Sequence, residues 1–385
     1  MMIFKETRYG VCSPGFRAAG VKRGRYGVSL VVADRVCETA AVFTRNSVKA
    51  GSLRYTEAMV KNGVAAVVAN SGNANCCVPS GVDDARELAE AAAKALGLSA
   101  RNVAVASTGI IGRKMDMEAV KSVLSEAACG LAPNPQGSLQ AAKAIMTTDT
   151  RIKMYSAESK GIRVGGICKG AGMIAPNMAT MLCFITTNAA LPKGMLGKAL
   201  RESCEESFNM VSVDGDMSTN DTVLLMSNRT ARTGYRAFKP LLAQVMAELA
   251  KMIARDGEGA SKFIEVEVKG ARSVADARAA VKAVSNSPLV KTAFYGENPN
   301  WGRIISAIGS RLDIDETRVD VTYSAQGRAA KLLSGGKPMN PEPARKVLAA
   351  RAVKVEVDLH LGPSSAVGWT CDMTPEYVKI NAGYN

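Results

Sequence analysis

Short apolar runs bounded by glycine, asparagine and aspartate alternate along this chain with stretches of helical period. Gly27 to Ala33 and Thr39 to Thr44 read as strands, as does Val64 to Ala69, which ends in the polar loop Asn70-Ser71-Gly72-Asn73-Ala74-Asn75. Asp83 or Asp84 starts a helix through Leu96, with Leu88, Ala92 and Leu96 on one face and Gly97 just past its end. A second strand-loop-helix unit opens at Val103 to Ser107, breaks at Thr108-Gly109 and resumes as Ile110-Ile111-Gly112. Asp116 caps a helix to about Cys129, and Ser138 caps another that runs into Met146-Thr147-Thr148-Asp149-Thr150. Arg151 to Ser156 and Gly161 to Cys168 are strands joined through Glu158-Ser159-Lys160.

The same grammar continues with a strand to Thr187, a helix near Met195 to Phe208, a turn-rich loop from Asp214 to Asp221 and a strand from Thr222 to Met226. The acidic loop lacks the glycine placement and terminal glutamate of a calcium loop. Phe238 to Arg255 is a long amphipathic helix, with Leu241, Leu242, Val245, Met246 and Leu249 inward, and it stops at Asp256-Gly257-Glu258-Gly259-Ala260. Phe263 to Val268 alternates as a strand and a capped helix starts at Ser273. Gly296 to Ile304 reads as a structured loop before a helix, and strands at Val319 to Tyr323 and Ala352 to Leu361 precede a terminal segment from Val367 to Asn385. Strands and helices in this mixed order predict an α/β mixed (α+β) fold, layered sheets with covering helices. No Pro/Ser/Gly-rich linker divides the chain, which favours one intimate unit, two lobes being allowed.

Composition narrows the function classes. With 385 residues, 47% of them hydrophobic and 22% charged, the chain is globular rather than disordered. Its net charge of +14 suits a nucleic acid, a membrane surface or a small anionic substrate. Aromatics are only 5% and the basic residues are scattered, so the stacking platforms and basic stripes of nucleic-acid binders are not visible. Nine cysteines without a CxxC pair fit reduced thiols in a cytoplasm and give no zinc spacing. The first residues carry no apolar signal segment, and no apolar run is long enough to cross a membrane, so secretion and membrane spanning are disfavoured. The single histidine, His360, lies in the alternating run Val353 to Leu361 and shares its polar face with Lys354, Glu356 and Asp358, as a solvated strand residue does.

That count bears on the run Gly165-Gly166-Ile167-Cys168-Lys169-Gly170-Ala171-Gly172-Met173-Ile174-Ala175-Pro176-Asn177-Met178-Ala179-Thr180, which gives way at once to the apolar Met181-Leu182-Cys183-Phe184. A glycine-rich loop with one lysine thus presents a threonine at the mouth of a buried strand, although a plain loop entering a strand has the same local pattern. A threonine hydroxyl needs a base, and a histidine triad would have to use His360. An amino-terminal threonine carries its own base, an α-amine titrating near ~8. This requires the Ala179-Thr180 bond to break: the hydroxyl attacks the Ala179 carbonyl, forms an ester, and hydrolysis frees the amine. Thr108-Gly109 at a strand end can supply oxyanion donors or be an ordinary turn. Thr147 lies in a hydroxyl-rich segment that can contact a ligand or satisfy a helix terminus, and Glu258, flanked by glycines, can approach a ligand or lie exposed in a turn.

The motif Lys169 to Leu182 closely resembles the signature of the ornithine acetyltransferase family, arginine-biosynthesis enzymes also called glutamate N-acetyltransferases. Asn70 to Asn75, Ser107 to Gly112, Met146 to Thr150, Asp256 to Ala260, Gly296 to Ile304 and Glu376 to Tyr384 are similar to family blocks and stand in family order. The resemblance implies a self-cleaving enzyme of the amino-terminal-nucleophile type, with an α chain of residues 1–179 and a β chain of residues 180–385 held as one unit, often as a heterotetramer. Thr180 would take acetyl from N-acetylornithine and pass it to glutamate by a ping-pong route, with no metal or cofactor and with acetyl-CoA as an optional co-substrate. Thr108 and Gly109 match the family's oxyanion positions, and Thr147, Lys169, Thr180, Glu258 and Asn381 its substrate contacts. A carboxylate at Glu258 suits the ornithine ammonium groups; Lys169 suits a substrate carboxylate or developing negative charge. Two departures stand out: the chain stops at Asn385, where relatives add a substrate-binding threonine or serine, and Asn188 replaces a usual acidic residue. A related amidase or aminopeptidase would share the cleavage but pass its acyl group to water, and a basic binding protein would stay in one piece.

Overall fold

The computed structural model describes residues 4–174, 181–192 and 194–383. It packs as two compact units, one drawn from Met1–Gly170, Pro176–Asn209 and Met217–Leu249, the other from Ala171–Ala175, Met210–Asp216 and Ala250–Asn385. Each unit draws on residues from both sides of the Ala179-Thr180 bond. The mixed α/β character read from the sequence is the observed fold class.

The first unit is built on strands β1 Lys5–Thr7, β2 Phe16–Arg23, β3 Tyr26–Phe43, β4 Val64–Asn73, β5 Val103–Ile110, β6 Lys153–Ser159, β7 Ile162–Lys169, β8 Leu182–Ala190 and β9 Thr222–Arg232. They lie in the order β1-β6-β7-β8-β9-β3-β4-β5, with β2 added beside β3. The near-continuous apolar runs follow from burial on both faces. Leu30, Val32, Ala66, Val68, Val103 and Val105 pack with helices Gly81–Leu96 and Met117–Cys129, through residues such as Leu88 and Leu124. The alternate residues Val31, Val67 and Ala104 join Ile167, Phe184 and Leu224 in a second cluster with Ala141, Ala142 and Ile145 of helix Pro135–Ile145.

Three local expectations change here. The two strands expected at 27–33 and 39–44 are one strand of 18 residues, whose first part pairs with β2 and β4 and whose last part pairs with β9. Exposed Asp34, Arg35 and Val36 mark where its register slips, between Val32 and Cys37, without breaking the strand. The loop expected from Asn70 is the end of β4, whose amides are buried and bonded rather than solvated. Ser138 is not a cap: Asn134 accepts from Gly137 N with Pro135 at the first helical position, while Ser138 is buried one turn in and donates to Tyr9 O. Asp116 does cap its helix, accepting from Ala119 N.

The second unit carries β10 Phe263–Ala271, β11 Asp320–Ala325, β12 Arg328–Ser334, β13 Lys337–Pro338, β14 Ala352–Asp358 and β15 Ser364–Cys371, in the order β13-β12-β11-β14-β10-β15. Ile264, Val266 and Val268 of β10 and Val353, Val355 and Val357 of β14 are buried, and helix Val274–Asn286, capped by Ser273, packs on this sheet. The intervening Glu267, Lys354, Lys269 and Glu356 form surface ion pairs, Lys354 with Glu267 at 2.6 Å and Lys269 with Glu356 at 2.9 Å. His360 is exposed, as expected, but is not a strand residue: β14 ends at Asp358, and His360 takes φ 51° where Gly270 O accepts from Leu361 N and turns the chain. The terminal segment, unread in the sequence beyond its position, forms β15 and helix Pro375–Gly383. No helix among the described residues is long and apolar enough to cross a membrane.

Candidate active site

The hairpin β6-β7 turns at Lys160-Gly161, both at positive φ, which suits a two-residue loop and sets the register that ends at Lys169. Lys169 is buried at the end of β7, opposite Leu182, the first residue of β8. Its Nζ donates to Thr108 Oγ1 at 3.2 Å. Because that oxygen accepts from the ammonium, the Thr108 hydroxyl proton is left to donate elsewhere.

Gly109 follows at φ 135°, and a Cβ there would collide with the backbone of Gly72 and Asn73. The ends of β4 and β5 can approach this closely because Gly109 carries no side chain, whereas a Cβ on Gly72, its partner in the ladder, would collide with the Arg25 carbonyl. Around them the amides are tied down: Asn70 Oδ1 accepts from Ser107 Oγ at 2.6 Å, Asn73 Nδ2 donates to Arg113 O at 3.0 Å, and Asn75 Nδ2 donates to Gly81 O at 2.7 Å.

Helix Pro135–Ile145 stops before Thr147, which is half-buried, and the Thr147 N–H donates to Asp149 Oδ2 at 3.1 Å. Asp149, buried, also accepts from Gly170 N at 2.7 Å and from Lys153 Nζ at 2.7 Å. It therefore joins the Thr147 segment to the end of the Lys169 strand. Burial alone would raise its pKa, but the charges of Lys169 and Lys153, with the bonds from Lys153 and Gly170, outweigh it and hold the carboxyl at about 2. A carboxylate with a lowered folded pKa stabilises the fold above its ordinary value of 3.8, and that stability is lost as pH falls through about 2. Asp149→Asn should accordingly cost about 3–5 kcal/mol at neutral pH, since it breaks a fully buried ion pair with Lys153. Denaturant titrations should show the gap to wild type narrowing by about 2 kcal/mol on acidification towards pH 2.

Asp221, just before β9, is a second buried acid that the sequence reading passed over as turn chemistry. Burial pushes its carboxyl well up despite the nearby Ser218 hydroxyl and Lys169 charge, and its Oδ2 has no hydrogen-bond partner among the described residues. Ala179 and Thr180, with the proposed cleavage point between them, lie outside the described residues, as does Pro176. Met181 O accepts from Thr222 N at 2.8 Å, and Leu182 pairs with Thr222 in the parallel ladder of β8 and β9.

In the second unit, Glu258 is buried rather than lying exposed in a turn. Its N–H donates to Ala171 O at 2.9 Å, and a Cβ on Gly172 would collide with its carboxylate. Asn381, on the exposed helix Pro375–Gly383, donates from Nδ2 to Glu258 Oε2 at 2.8 Å. Gly259, at φ 67°, lies against the backbone N of Tyr377, which brings that helix onto the Glu258 turn. Asp214, from the loop that has the look of a metal site, instead accepts the backbone N–H groups of Met173 and Ile174, the latter at 2.8 Å. Burial raises its carboxyl pKa, and burial together with the Asp214 charge raises the Tyr377 phenol. The structure thus gathers Thr108, Gly109, Thr147 and Lys169 in one unit and Glu258 with Asn381 in the other. Asp149, Asp214 and Asp221 were missed, since in the sequence they are acids in turn-like segments.

Residues 15–385 match the model of the ArgJ family. The chain is 44% identical to the glutamate N-acetyltransferase of Methanocaldococcus jannaschii, over 97% of this chain and 98% of that protein. It is also 44% identical to the arginine biosynthesis bifunctional protein ArgJ of Symbiobacterium thermophilum, again over 97% and 98%. Among solved structures, the arginine biosynthesis bifunctional protein argJ of Bacillus halodurans is 40% identical, covering 52% of this chain and 98% of that one, at a TM-score of 0.49.

Proposed function

Because this chain belongs to the ArgJ family of acyltransferases, we propose that it moves the acetyl group of N-acetylornithine to glutamate in arginine biosynthesis, through an acetyl ester on Thr180. The observation that carries the reading is a short chain of contacts. The strand that begins two residues after Thr180 is paired at its first position with Lys169, whose ammonium reaches Thr108 beside Gly109.

Self-cleavage comes first. Thr180 Oγ attacks the Ala179 carbonyl, the C–N bond breaks with a proton passing to nitrogen, and water hydrolyses the resulting ester. The Ala179 carboxylate and the Thr180 amine are then free. In transfer, that amine takes the Thr180 hydroxyl proton as Oγ attacks the acetyl carbonyl. Thr108 and Gly109 stabilise the oxyanion, the amine returns the proton to departing ornithine, and glutamate's amine reverses the sequence to give acetylglutamate. Thr147 and Asn381 contact substrate, Glu258 takes the ornithine ammonium groups, and Lys169 takes a substrate carboxylate or the developing charge. Acetyl-CoA enters as an optional second donor.

Both chains would remain together. β8 lies between β7 and β9, and β3 pairs with β9, so the two strands after the cut are flanked on both sides by strands from before it in one sheet. The α and β chains should separate only in denaturant, and their heterotetrameric assembly belongs to the same reading.

Exchange of labelled acetyl between N-acetylornithine and glutamate tests the proposal, and acetate released at the same rate without glutamate would instead identify a hydrolase. Within that assay, Glu258→Gln keeps an acceptor for Asn381 but loses the charge. The acetylornithine half-reaction should fall roughly 30-fold in kcat/KM, a loss on the scale of one charged hydrogen bond, and the glutamate half-reaction should change less. An unchanged first half-reaction would remove Glu258 from the site.

A further inference from the structure

We infer that Asn220 is a further positioning residue of the proposed reaction, tying the backbone that carries Thr108 and Gly109 to the strand that follows Thr180. The inference rests on the reading above. Asn220 is buried, and its Nδ2 donates both protons, to Ala74 O at 2.6 Å and to Ser107 O at 2.8 Å. Its Oδ1 accepts from Thr219 Oγ1 at 2.6 Å, which fixes the amide so that the two donors face the two carbonyls.

Ala74 directly follows the end of β4, and Ser107 lies in β5 two residues before Gly109, where the ladder slips between Gly72 and Asn73. Ser107 C=O and Thr108 N–H share one peptide plane, so holding the first sets the direction of the second. Two residues along, Thr222 N donates to Met181 O at 2.8 Å, and Thr222 Oγ1 donates to Asn220 O at 3.0 Å. Asn220-Asp221-Thr222 therefore grips the residue before Thr108 at one end and the residue after Thr180 at the other. A newly cut chain terminus frays unless it is tied down, and an oxyanion hole is useful only at a fixed distance from its nucleophile. This segment supplies both constraints at once.

The test uses purified, cleaved enzyme and three variants. Asn220→Asp keeps volume and shape but puts one acceptor oxygen where the amide nitrogen donates to two carbonyls; Asn220→Ala removes the contacts; Thr219→Val frees the amide to turn. Asn220→Asp and Asn220→Ala should lower kcat in both half-reactions roughly 100-fold, with KM for either substrate within about threefold of wild type, the cost of about 1 Å of misplacement. Thr219→Val should lower kcat several-fold in the same pattern. If Asn220→Ala fails to fold, the other two variants decide. An Asn220→Asp enzyme with wild-type kcat, or a loss confined to KM, would overturn the tether while leaving the acetyl-transfer reading intact. A wild-type protein with no acetyl exchange would remove that reading, and the tether with it.

Discussion

Thr180→Ala should yield a single uncleaved chain of 385 residues with no measurable acetyl exchange. One substitution removes two functions that the proposal assigns to the same hydroxyl, attack on the Ala179 carbonyl and attack on the acetyl group. The only histidine lies exposed beyond the end of β14, so the proposal takes the α-amine of Thr180 as the base. Loss of a covalent nucleophile typically costs about 10⁵-fold or more in kcat, leaving only binding and oxyanion stabilisation. Thr180→Ser separates the hydroxyl from the methyl group: it should still cleave and still transfer, more slowly. Denaturing electrophoresis and the acetyl-exchange assay read both variants. A Thr180→Ala protein that exchanges acetyl at the wild-type rate would exclude the threonine ester.

Gly109→Ala carries the next largest effect. The φ of 135° is strained for any residue with a side chain, and the added methyl meets the backbone of Gly72 and Asn73, which cannot move aside as a flexible side chain would. The fold should lose about 1–3 kcal/mol from the dihedral alone. What folds should show kcat lowered roughly 10²–10³-fold, the cost of displacing one oxyanion donor. Thermal melts with single-turnover acetylation separate the two losses. Gly112→Ala is the control, because nothing lies within contact of a Cβ there, although φ is again positive at 79°. That variant should share the backbone penalty and keep its rate of acetylation.

Legibility in the sequence followed the range of the interactions involved. Helix caps at Asp116 and Ser273 and the alternation of β10 and β14 are local, and they were read correctly from a few residues. So was the approach to Lys169, because a turn and an apolar run determine where a strand ends. The amides of Asn70, Asn73 and Asn75 defeated the same reasoning. Alone they are turn residues, and only contacts with Ser107, Arg113 and Gly81, distant in sequence or hidden by a loop, convert them into buried strand-end struts. Asp149 and Asp221 escaped for the same reason, since the charge of Lys169 that bears on both comes from another strand. The helix Pro375–Gly383 buries none of its residues, so it writes no apolar stripe that periodicity could find. Its Asn381 was legible only through resemblance.

The threonine ester itself can be weighed. Wild-type protein is mixed with N-acetylornithine in the absence of glutamate, quenched in acid and measured by intact mass and fragmentation. The account predicts two chains divided between Ala179 and Thr180, with one acetyl group on the β chain, localised to Thr180 and discharged when glutamate is added before the quench. A single intact chain that exchanges acetyl, or an acetyl group held elsewhere and turned over at the same rate, would contradict it.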